Sequence, residues 1–385
     1  MKPLDPQKLG KNHDFTKRVN RANVLRLMRQ GDGVSRAVLA RETGLSIQSL
    51  SNIVAELEES RLIVAQKRIY GAKGQPPVPY RVNPDAGYCI GISLDEGRLR
   101  AVASDFSHVC RAQIVREHVI SDPDAVLDLL CDVVAEMQRQ VALPLWGVGL
   151  ATPQLFDPDV ADIGQLEASI WVELGNSRLA HRLSQHLGRP VFIENDANAG
   201  ALGELVFGAG QTLTHFCYLH VSRGLGLGIV QEARVFHGAG GNAGEIGRFR
   251  LSPARDARAV EDVLSLEGLA AAGPGPSGID AWVAEAADVL RWLVGIVERA
   301  YDPQTIVLGG ELDPGLADRL IDATAPLQIT ASDRLVRRSA RLQRSPLATA
   351  SAALGASVMP FLAISDPDPD RMWRYEGTLP DLYTG

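Results

Sequence analysis

Three stretches of apolar residues at helical spacing open the chain. Val24, Leu27 and Met28 predict a helix over 19–30, Leu39, Ala40 and Thr43 the inner face of a second, and Ile47, Leu50, Val54 and Leu57 that of a third. Ser35 and Ser46 stand at N-cap positions, where a serine hydroxyl accepts from the free N–H groups of a first turn. Gly44, between the second and third helices, supplies the positive φ that stops a helix. This is the layout of a helix-turn-helix. Gln48, Ser49 and Asn52 fall opposite the apolar stripe; they are short, uncharged and able to donate and accept at base edges. Residues 62–70 are β-rich, 71–77 read Gly-Ala-Lys-Gly-Gln-Pro-Pro, and 78–82 form a second short strand, which together describe a wing. Lys67, Arg68 and Lys73 lie where phosphates would pass, with Gln75 in the turn itself. Ser35, Arg36 and Ser46, at the two helix starts, complete the candidate DNA contacts.

From Tyr88 onward strands and helices alternate. Strands are predicted over 88–94, 99–105 and 112–118, a helix over 124–140, and a buried strand over 146–151. A strand over 191–194 leads into a helix that includes 197–205, followed by strands over 216–221 and 226–231. A long helix over 280–301 precedes a strand over 305–308 that meets Gly309-Gly310. This mixed α/β order, with glycine turns after strands, predicts two lobes closing on a cleft. The expected organisation is a flexible arm over 1–18, a DNA-binding domain over 19–82, a small lobe over 83–196 joined by 364–385, and a large lobe over 197–363.

Charge sharpens this division. Residues 1–81 hold 15 Lys and Arg against 7 Asp and Glu, a net charge of +8, whereas the whole 385-residue chain carries −7, leaving −15 on the remainder. A basic module on an acidic body is the electrostatic footprint of a nucleic-acid binder. No apolar run is long enough to cross a bilayer, and Met-Lys-Pro-Leu-Asp has no apolar signal segment, so a cytoplasmic protein without membrane contact is expected. Cys89, Cys110, Cys131 and Cys217 are far apart with no CxxC spacing and are expected to be reduced, buried thiols.

Three motifs, in order, carry a family resemblance. Pro190-Val-Phe-Ile-Glu-Asn-Asp-Ala-Asn-Ala-Gly-Ala-Leu-Gly-Glu204 resembles the sugar-contacting segment of the ROK family of repressors, open-reading-frame proteins and sugar kinases. Gly240-Gly-Asn-Ala-Gly-Glu-Ile-Gly247 is similar to its signature loop, and Ile306-Val-Leu-Gly-Gly310 to its adenosine-side strand. The N-terminal module, with its Gly-Gln-Pro turn, resembles the DNA-binding branch, and the resemblance extends to about residue 362. It implies an α/β fold in which a winged helix-turn-helix precedes a two-lobed, actin-like (RNase-H-type) sugar-kinase body. By the same resemblance Asn195, Asp196, Glu245 and Glu267 are sugar-hydroxyl partners, Asp196 matching the general base of the kinases. A purely structural role for Asn195 and Asp196 would be to cap the helix that follows them.

Departures from the family matter as much. Where the kinases have Asp-x-Gly-Gly-Thr-Lys, this chain reads Ser93-Leu-Asp-Glu-Gly-Arg98, which puts carboxylates where backbone N–H groups should approach phosphate. Where they have Gly-Thr-Gly-x-Gly, it reads Ser222-Arg-Gly-Leu-Gly226. Arg223 is therefore expected to pair with Asp95 or Glu96 across the cleft. The family's zinc is held by one histidine and a Cys-x-Cys-Gly-x-x-Gly-Cys run. Here the histidine position is Arg248 and the run is Arg258-Ala-Val-Glu-Asp-Val-Leu-Ser265, so no metal and no cofactor is expected. Arg248 either pairs with Glu245 or Glu267, or meets an anionic group on the ligand.

These observations converge on a ligand-responsive repressor, a homodimer or dimer of dimers, with operator DNA and a carbohydrate or carbohydrate derivative as partners. The alternative is an active ATP-dependent sugar kinase that carries a DNA-binding module. A third reading is a DNA-binding protein whose body is only a dimerisation scaffold.

Overall fold

The computed structural model describes residues 12–29, 31, 33–66, 78–95, 97–118, 122–153, 176–252, 254, 257–330, 339–365 and 374–380. The N-terminal unit is α1 (Asn12–Arg29), β1 (Val34–Ser35), α2 (Arg36–Thr43), α3 (Ile47–Glu59), β2 (Ile63–Ala65) and β3 (Pro79–Val82). Its local punctuation follows from the sequence. Ser35 Oγ accepts from the Val38 N–H and Ser46 Oγ from the Ser49 N–H, while Gly44 at φ 69° donates its N–H to the Ala40 carbonyl. Val24, Leu25, Met28, Leu39, Leu50, Ile53, Val54 and Leu57 form the shared core. The three strands pair antiparallel in the order β1-β3-β2.

Two expectations are corrected here. Residues 12–18 belong to α1 rather than to a free arm, because Lys17 (2.7 Å) and Arg21 both fasten on Glu56 of α3. Ile47 is 72% exposed, so the apolar stripe of α3 runs one turn past what α1 and α2 cover, and Ile53 fills the core instead.

The body holds two sheets among the described residues. The first consists of β4 (Tyr88–Asp95), β5 (Arg98–Asp105), β6 (Cys110–Glu117), β7 (Leu145–Thr152), β8 (Val191–Asn195) and β14 (Tyr375–Glu376), in the order β14-β8-β7-β4-β5-β6. β4, β7 and β8 are parallel neighbours, as buried central strands with helical crossovers must be. α4 (Pro123–Gln140) and α5 (Asn176–Leu187) pack on this sheet through Leu130, Val133, Val134, Leu179 and Leu183. The second sheet consists of β9 (Phe216–Val221), β10 (Leu225–Gln231), β11 (Arg234–Val235), β12 (Ile306–Gly310) and β13 (Leu342–Arg344), in the order β11-β10-β9-β12-β13. α8 (Pro276–Tyr301) and α9 (Pro314–Thr324) cover one face of it, with Trp282, Leu290 and Leu293 buried.

Two helices lie between the sheets, α6 (Asp196–Phe207) against β9 and β10, and α10 (Ser351–Ser365) against β4 and β7. They cross backbone to backbone, and a Cβ at Gly355 would collide with the Ala199 carbonyl. α10 thus joins the first sheet although it follows the second in the chain. Its far end carries Phe361 and Ile364 into a cluster with Phe106, Trp146 and the core of the N-terminal unit. Arg29, the last residue of α1, lays its guanidinium 4.4 Å above the Phe106 ring. Among the cysteines, Cys89 and Cys217 are buried as expected, but Cys110 is exposed and Cys131 half-buried; all four are free. No helix of the described residues is long and apolar enough to cross a membrane.

Candidate functional site

On the N-terminal unit, α3 presents Gln48, Ser49 and Asn52 to solvent, with Ile47 beside them. Ser46 and Ser49 share a hydroxyl–hydroxyl bond of 2.8 Å, which fixes both at the helix start. Arg36 is not free: it donates to the Tyr80 hydroxyl at 2.8 Å and stacks 5.1 Å above that ring, tying α2 to β3. Ile47 was missed as a surface residue. An apolar side chain on this face suits a thymine methyl group. Lys67, Arg68, Lys73 and Gln75 lie outside the described residues.

In the body, β8 ends at Asn195 and α6 begins at Asp196. Asn195 caps the helix, its Oδ1 accepting from the Ala197 and Asn198 N–H groups, while its Nδ2 donates to the Pro153 carbonyl beyond β7. The capping role weighed for Asn195 is thus observed. Asp196 is buried, and burial pushes its carboxyl up to about 7. The Ala197 N–H opposes that shift, whereas the charges of Glu245 and Glu311 add to it. Asp196 Oδ2 lies 3.4 Å from Nε2 of His220, whose Nδ1 is 3.4 Å from the Tyr218 hydroxyl. Burial holds the His220 imidazole below its usual range, against the pull of Glu311 and Asp95. Sequence reasoning missed His220; its only signal is a single imidazole in the otherwise apolar run 216–221.

Glu194, next to Asn195, is buried and fully engaged. Its Oε1 accepts from the Asn195 N–H (2.9 Å) and Asn198 Nδ2 (3.1 Å), and its Oε2 meets His237 Nε2 at 2.8 Å. Burial alone would raise its carboxyl; His237, Asn198 and the Asn195 N–H outweigh that and hold it below the usual range. Glu245 is exposed in its loop but close enough for its charge to act on Asp196. Glu267, the second residue of α7 (Leu266–Ala271), accepts from Arg223 Nε and Nη2 at 3.1 and 2.7 Å. Of the two carboxylates expected opposite Arg223, Glu96 lies outside the described residues.

The expected partners of Arg248 are corrected. Its positive charge acts on Glu261, countering burial that raises that carboxyl, and Glu267 is taken by Arg223. Arg248 is exposed and shares a shallow depression with Arg250, Ala259, Glu261 and Asp262. At the positions that the family resemblance would assign to a zinc, the donor set does not fit a metal. Arg258 pairs with Glu285, Val260 is core, and Ser265 Oγ caps α7 by accepting from the Gly268 N–H at 3.0 Å. Among the described residues no group of three or more His, Cys, Asp or Glu side chains is arranged to hold a metal ion.

In the run that resembles the first phosphate loop, Ser93, Leu94 and Asp95 of β4 pair in antiparallel register with Arg100, Leu99 and Arg98 of β5. Arg98 and Arg100 reach across the cleft to Glu311, at 3.7 and 3.4 Å, immediately after Gly309-Gly310. A carboxylate from one lobe and two guanidinium groups from the other therefore occupy this part of the cleft.

Comparison with known proteins agrees with this geometry. The ROK family pattern matches residues 98–271. The xylose repressor of Bacillus subtilis is 29% identical over 240 residues, 62% of each chain. The DNA-binding transcriptional dual regulator NagC of Escherichia coli is 27% identical over 263 residues, 66% of this chain and 62% of that one. The chain thus spans about three-fifths of the length of these curated relatives. A solved ROK family transcriptional regulator, a homolog of the Escherichia coli MLC protein, superposes with a TM-score of 0.71 at 20% identity, over 97% of this chain and all of that one. A ROK glucokinase from Streptomyces griseus, in complex with glucose and AMPPNP, superposes with a TM-score of 0.56 at 19% identity, over 70% of this chain and 98% of that one. At such identities these likenesses establish the fold. Residues 98–271 thus resemble the ROK family in sequence, and the two sheets with the helix pair between them are the fold of these solved structures.

Proposed function

We propose that the protein is a sugar-responsive transcriptional repressor whose sensor is a sugar-kinase body that no longer transfers phosphate. α3 lies in the major groove, Gln48, Ser49, Asn52 and Ile47 read base edges, and Ser35, Arg36, Ser46 and the basic wing residues Lys67, Arg68 and Lys73 position the unit on phosphate, with Gln75 at the wing tip. A sugar or sugar derivative enters between Asn195–Asp196 and Glu245–Glu267, with Arg248 at the edge. No metal takes part. The protein acts in the cytoplasm as a homodimer or dimer of dimers, matching a palindromic operator. Relatives named xylose repressor and N-acetylglucosamine repressor support the repressor assignment.

The observation that carries this reading is a continuous packed route between the two ends. Asp196 starts α6, α6 crosses α10 at Gly355, and Phe361 of α10 sits in the core shared with α1, Phe106 and Trp146. A ligand that moves α6 therefore has a rigid path to the helix-turn-helix. A coupling of about 1–3 kcal/mol gives an operator response of roughly 5–150-fold.

One observation favours the kinase reading: Asp196 is a buried carboxyl near neutrality, suited to a general base. Against it stand Asp95 in the first phosphate loop and the Glu311 bridge across the cleft. The test titrates the full chain with a panel of neutral and anionic sugars, with and without ATP and Mg²⁺. Operator fragments are first selected from random DNA. Saturable binding that releases operator, without phosphorylated product, is expected. Sugar-dependent phosphoryl transfer would overturn the pseudokinase claim. Failure to select any DNA sequence would overturn the repressor claim.

A further inference from the structure

Glu194 and His237 belong to different lobes. Glu194 lies on β8 of the first sheet, directly before Asn195 and Asp196. His237 follows β11 of the second sheet and opens the loop that ends at Glu245. The two meet at 2.8 Å, Nε2 to Oε2, with Glu194 buried and His237 partly exposed.

Each partner also organises its own side. Glu194 Oε1 holds the Asn195 N–H and the Asn198 amide, the backbone and first turn that present Asp196. The His237 carbonyl accepts from the Ala243 N–H at 3.2 Å and so closes the loop on itself. The Gly244 carbonyl accepts from the Leu227 N–H, anchoring the loop's end to β10. Arg374 is the other charged group facing His237. Its backbone carbonyl accepts from the Ile193 N–H, and its guanidinium lies against Gly241.

We propose that Glu194 and His237 are positioning residues. They form a proton-dependent clasp that sets the loop carrying Glu245 against the strand end carrying Asn195 and Asp196. The two halves of the effector site are then held in register while His237 is protonated, and loosen when it is neutral. The chemistry is a hydrogen-bonded ion pair: a neutral imidazole can still donate its Nε2–H to the carboxylate, but the Coulomb attraction between two opposite charges is then lost. The proton is exchanged with solvent: Glu194 stays a carboxylate throughout, and only the imidazole gains or loses it.

The electrostatics run in the same direction. The hydrogen bond to Glu194 raises the imidazole above its usual range, burial opposes it, the Glu194 charge adds to it, and Arg374 lowers it. A raised histidine contributes stability that is fully present below its unfolded range and is lost as pH climbs through the folded value. The depressed Glu194 contributes above the ordinary carboxylate range and loses its contribution as pH falls through its own lowered value. The clasp is therefore complete below the ordinary imidazole range and fades as pH rises through the raised value of the folded state.

This inference rests on the sensor reading for its biological meaning but is tested independently of it. Hydrogen–deuterium exchange of the full chain, corrected for intrinsic rates, is compared at pH 6 and pH 8.5 for wild type, His237→Gln and Glu194→Gln. Segments 236–247 and 191–198 should gain exchange together, several-fold, on raising the pH of wild type. His237→Gln, a substitution at a partly exposed position, should exchange fast at both pH values. Histidine nuclear magnetic resonance titration of Glu194→Gln should show a lowered His237 midpoint. Unchanged exchange, or a change in one segment without the other, overturns the clasp. Calorimetry with D-xylose and N-acetylglucosamine then reads its consequence, a several-fold weaker affinity in His237→Gln for whichever sugar binds wild type. Equal affinity and an equal pH profile in both proteins also overturn it. If wild type binds no sugar of the panel, the sensor reading fails, while exchange still decides the clasp.

Discussion

Arg100 and Glu311 meet at 3.4 Å across the cleft, one from β5 of the first lobe and the other from the turn after β12 of the second. Both side chains are largely buried, at 15% and 13% exposure, and Arg98 reaches the same carboxylate at 3.7 Å. An uncompensated buried charge is expensive, so losing one partner of such a pair destabilises by about 3–5 kcal/mol. Glu311→Gln should fall toward the lower end of that range, because Arg98 is half exposed and can turn to water. Urea unfolding of Glu311→Gln, Arg100→Gln and the double variant checks it. The double variant should be less destabilised than the sum of the singles; strict additivity would mean that the two groups do not interact.

Asp196 titrates near neutrality, with a direction that can be tested. Its folded carboxyl stands at about 7 against an ordinary value of 3.8. It therefore contributes stability that is complete below the ordinary value and lost as pH rises through about 7. Asp196→Asn, which stays neutral, should match wild type at pH 4 and exceed it at pH 8 by a few kcal/mol, on the order set by ~1.4 kcal/mol for each pKa unit. Sugar affinity of wild type should rise with pH through this range, since the carboxylate accepts hydroxyl hydrogen bonds. A stability difference independent of pH would contradict the assignment.

The exposed face of α3 makes a graded prediction. Asn52→Ala should relax sequence preference at one base pair by ~1–3 kcal/mol if its contact is bidentate. Ile47→Ala should weaken a preference for thymine with little effect on folding, because Ile47 is already exposed. Lys73→Ala should weaken all sequences alike and reduce the salt slope by about one. Gel-shift titrations at several salt concentrations on selected operators separate the three behaviours. Intact specific binding after removal of residues 1–82 would refute the whole assignment.

Phe361 is fully buried where α10 meets the N-terminal unit, with ring centroids 5.6 Å from both Phe106 and Trp146. Phe361→Ala should destabilise by about 3–5 kcal/mol. Phe361→Leu, a milder change, should leave the fold intact but shrink the sugar-induced change in operator affinity. A Phe361→Leu protein with unaltered coupling would show that the response takes another route.

How much of this was legible in advance depends on the range of the interactions involved. Ser35, Gly44 and Ser46 act on backbone groups within four residues, so the caps and the turn followed from the sequence alone. The strand–helix junction at Asn195 and Asp196 was equally local, and the altered phosphate loops and absent cysteines were plain in the residue types. The ends of elements were less certain. α1 starts earlier than its apolar spacing implies because Lys17 and Arg21 find Glu56, some 35 residues away. Ile47 kept the helical period yet stayed in water, because periodicity names a face and not what covers it.

Tertiary structure alone decided the partners of the charged groups. Arg248 acts on Glu261, Arg223 binds Glu267, Glu311 joins Arg98 and Arg100, and His237 reaches Glu194. Except for Arg248 and Glu261, these groups stand more than 40 residues from their partners, and Coulomb attraction has no sequence period to betray it. It also decided that α10 lies on the first sheet and touches α1, since a helix apolar on all sides can face either lobe. The sequence determined which chemical groups this protein carries and where its backbone turns. The packing of two sheets about a crossed helix pair decided which of those groups meet, because Coulomb attraction acts only between charges that the fold brings close.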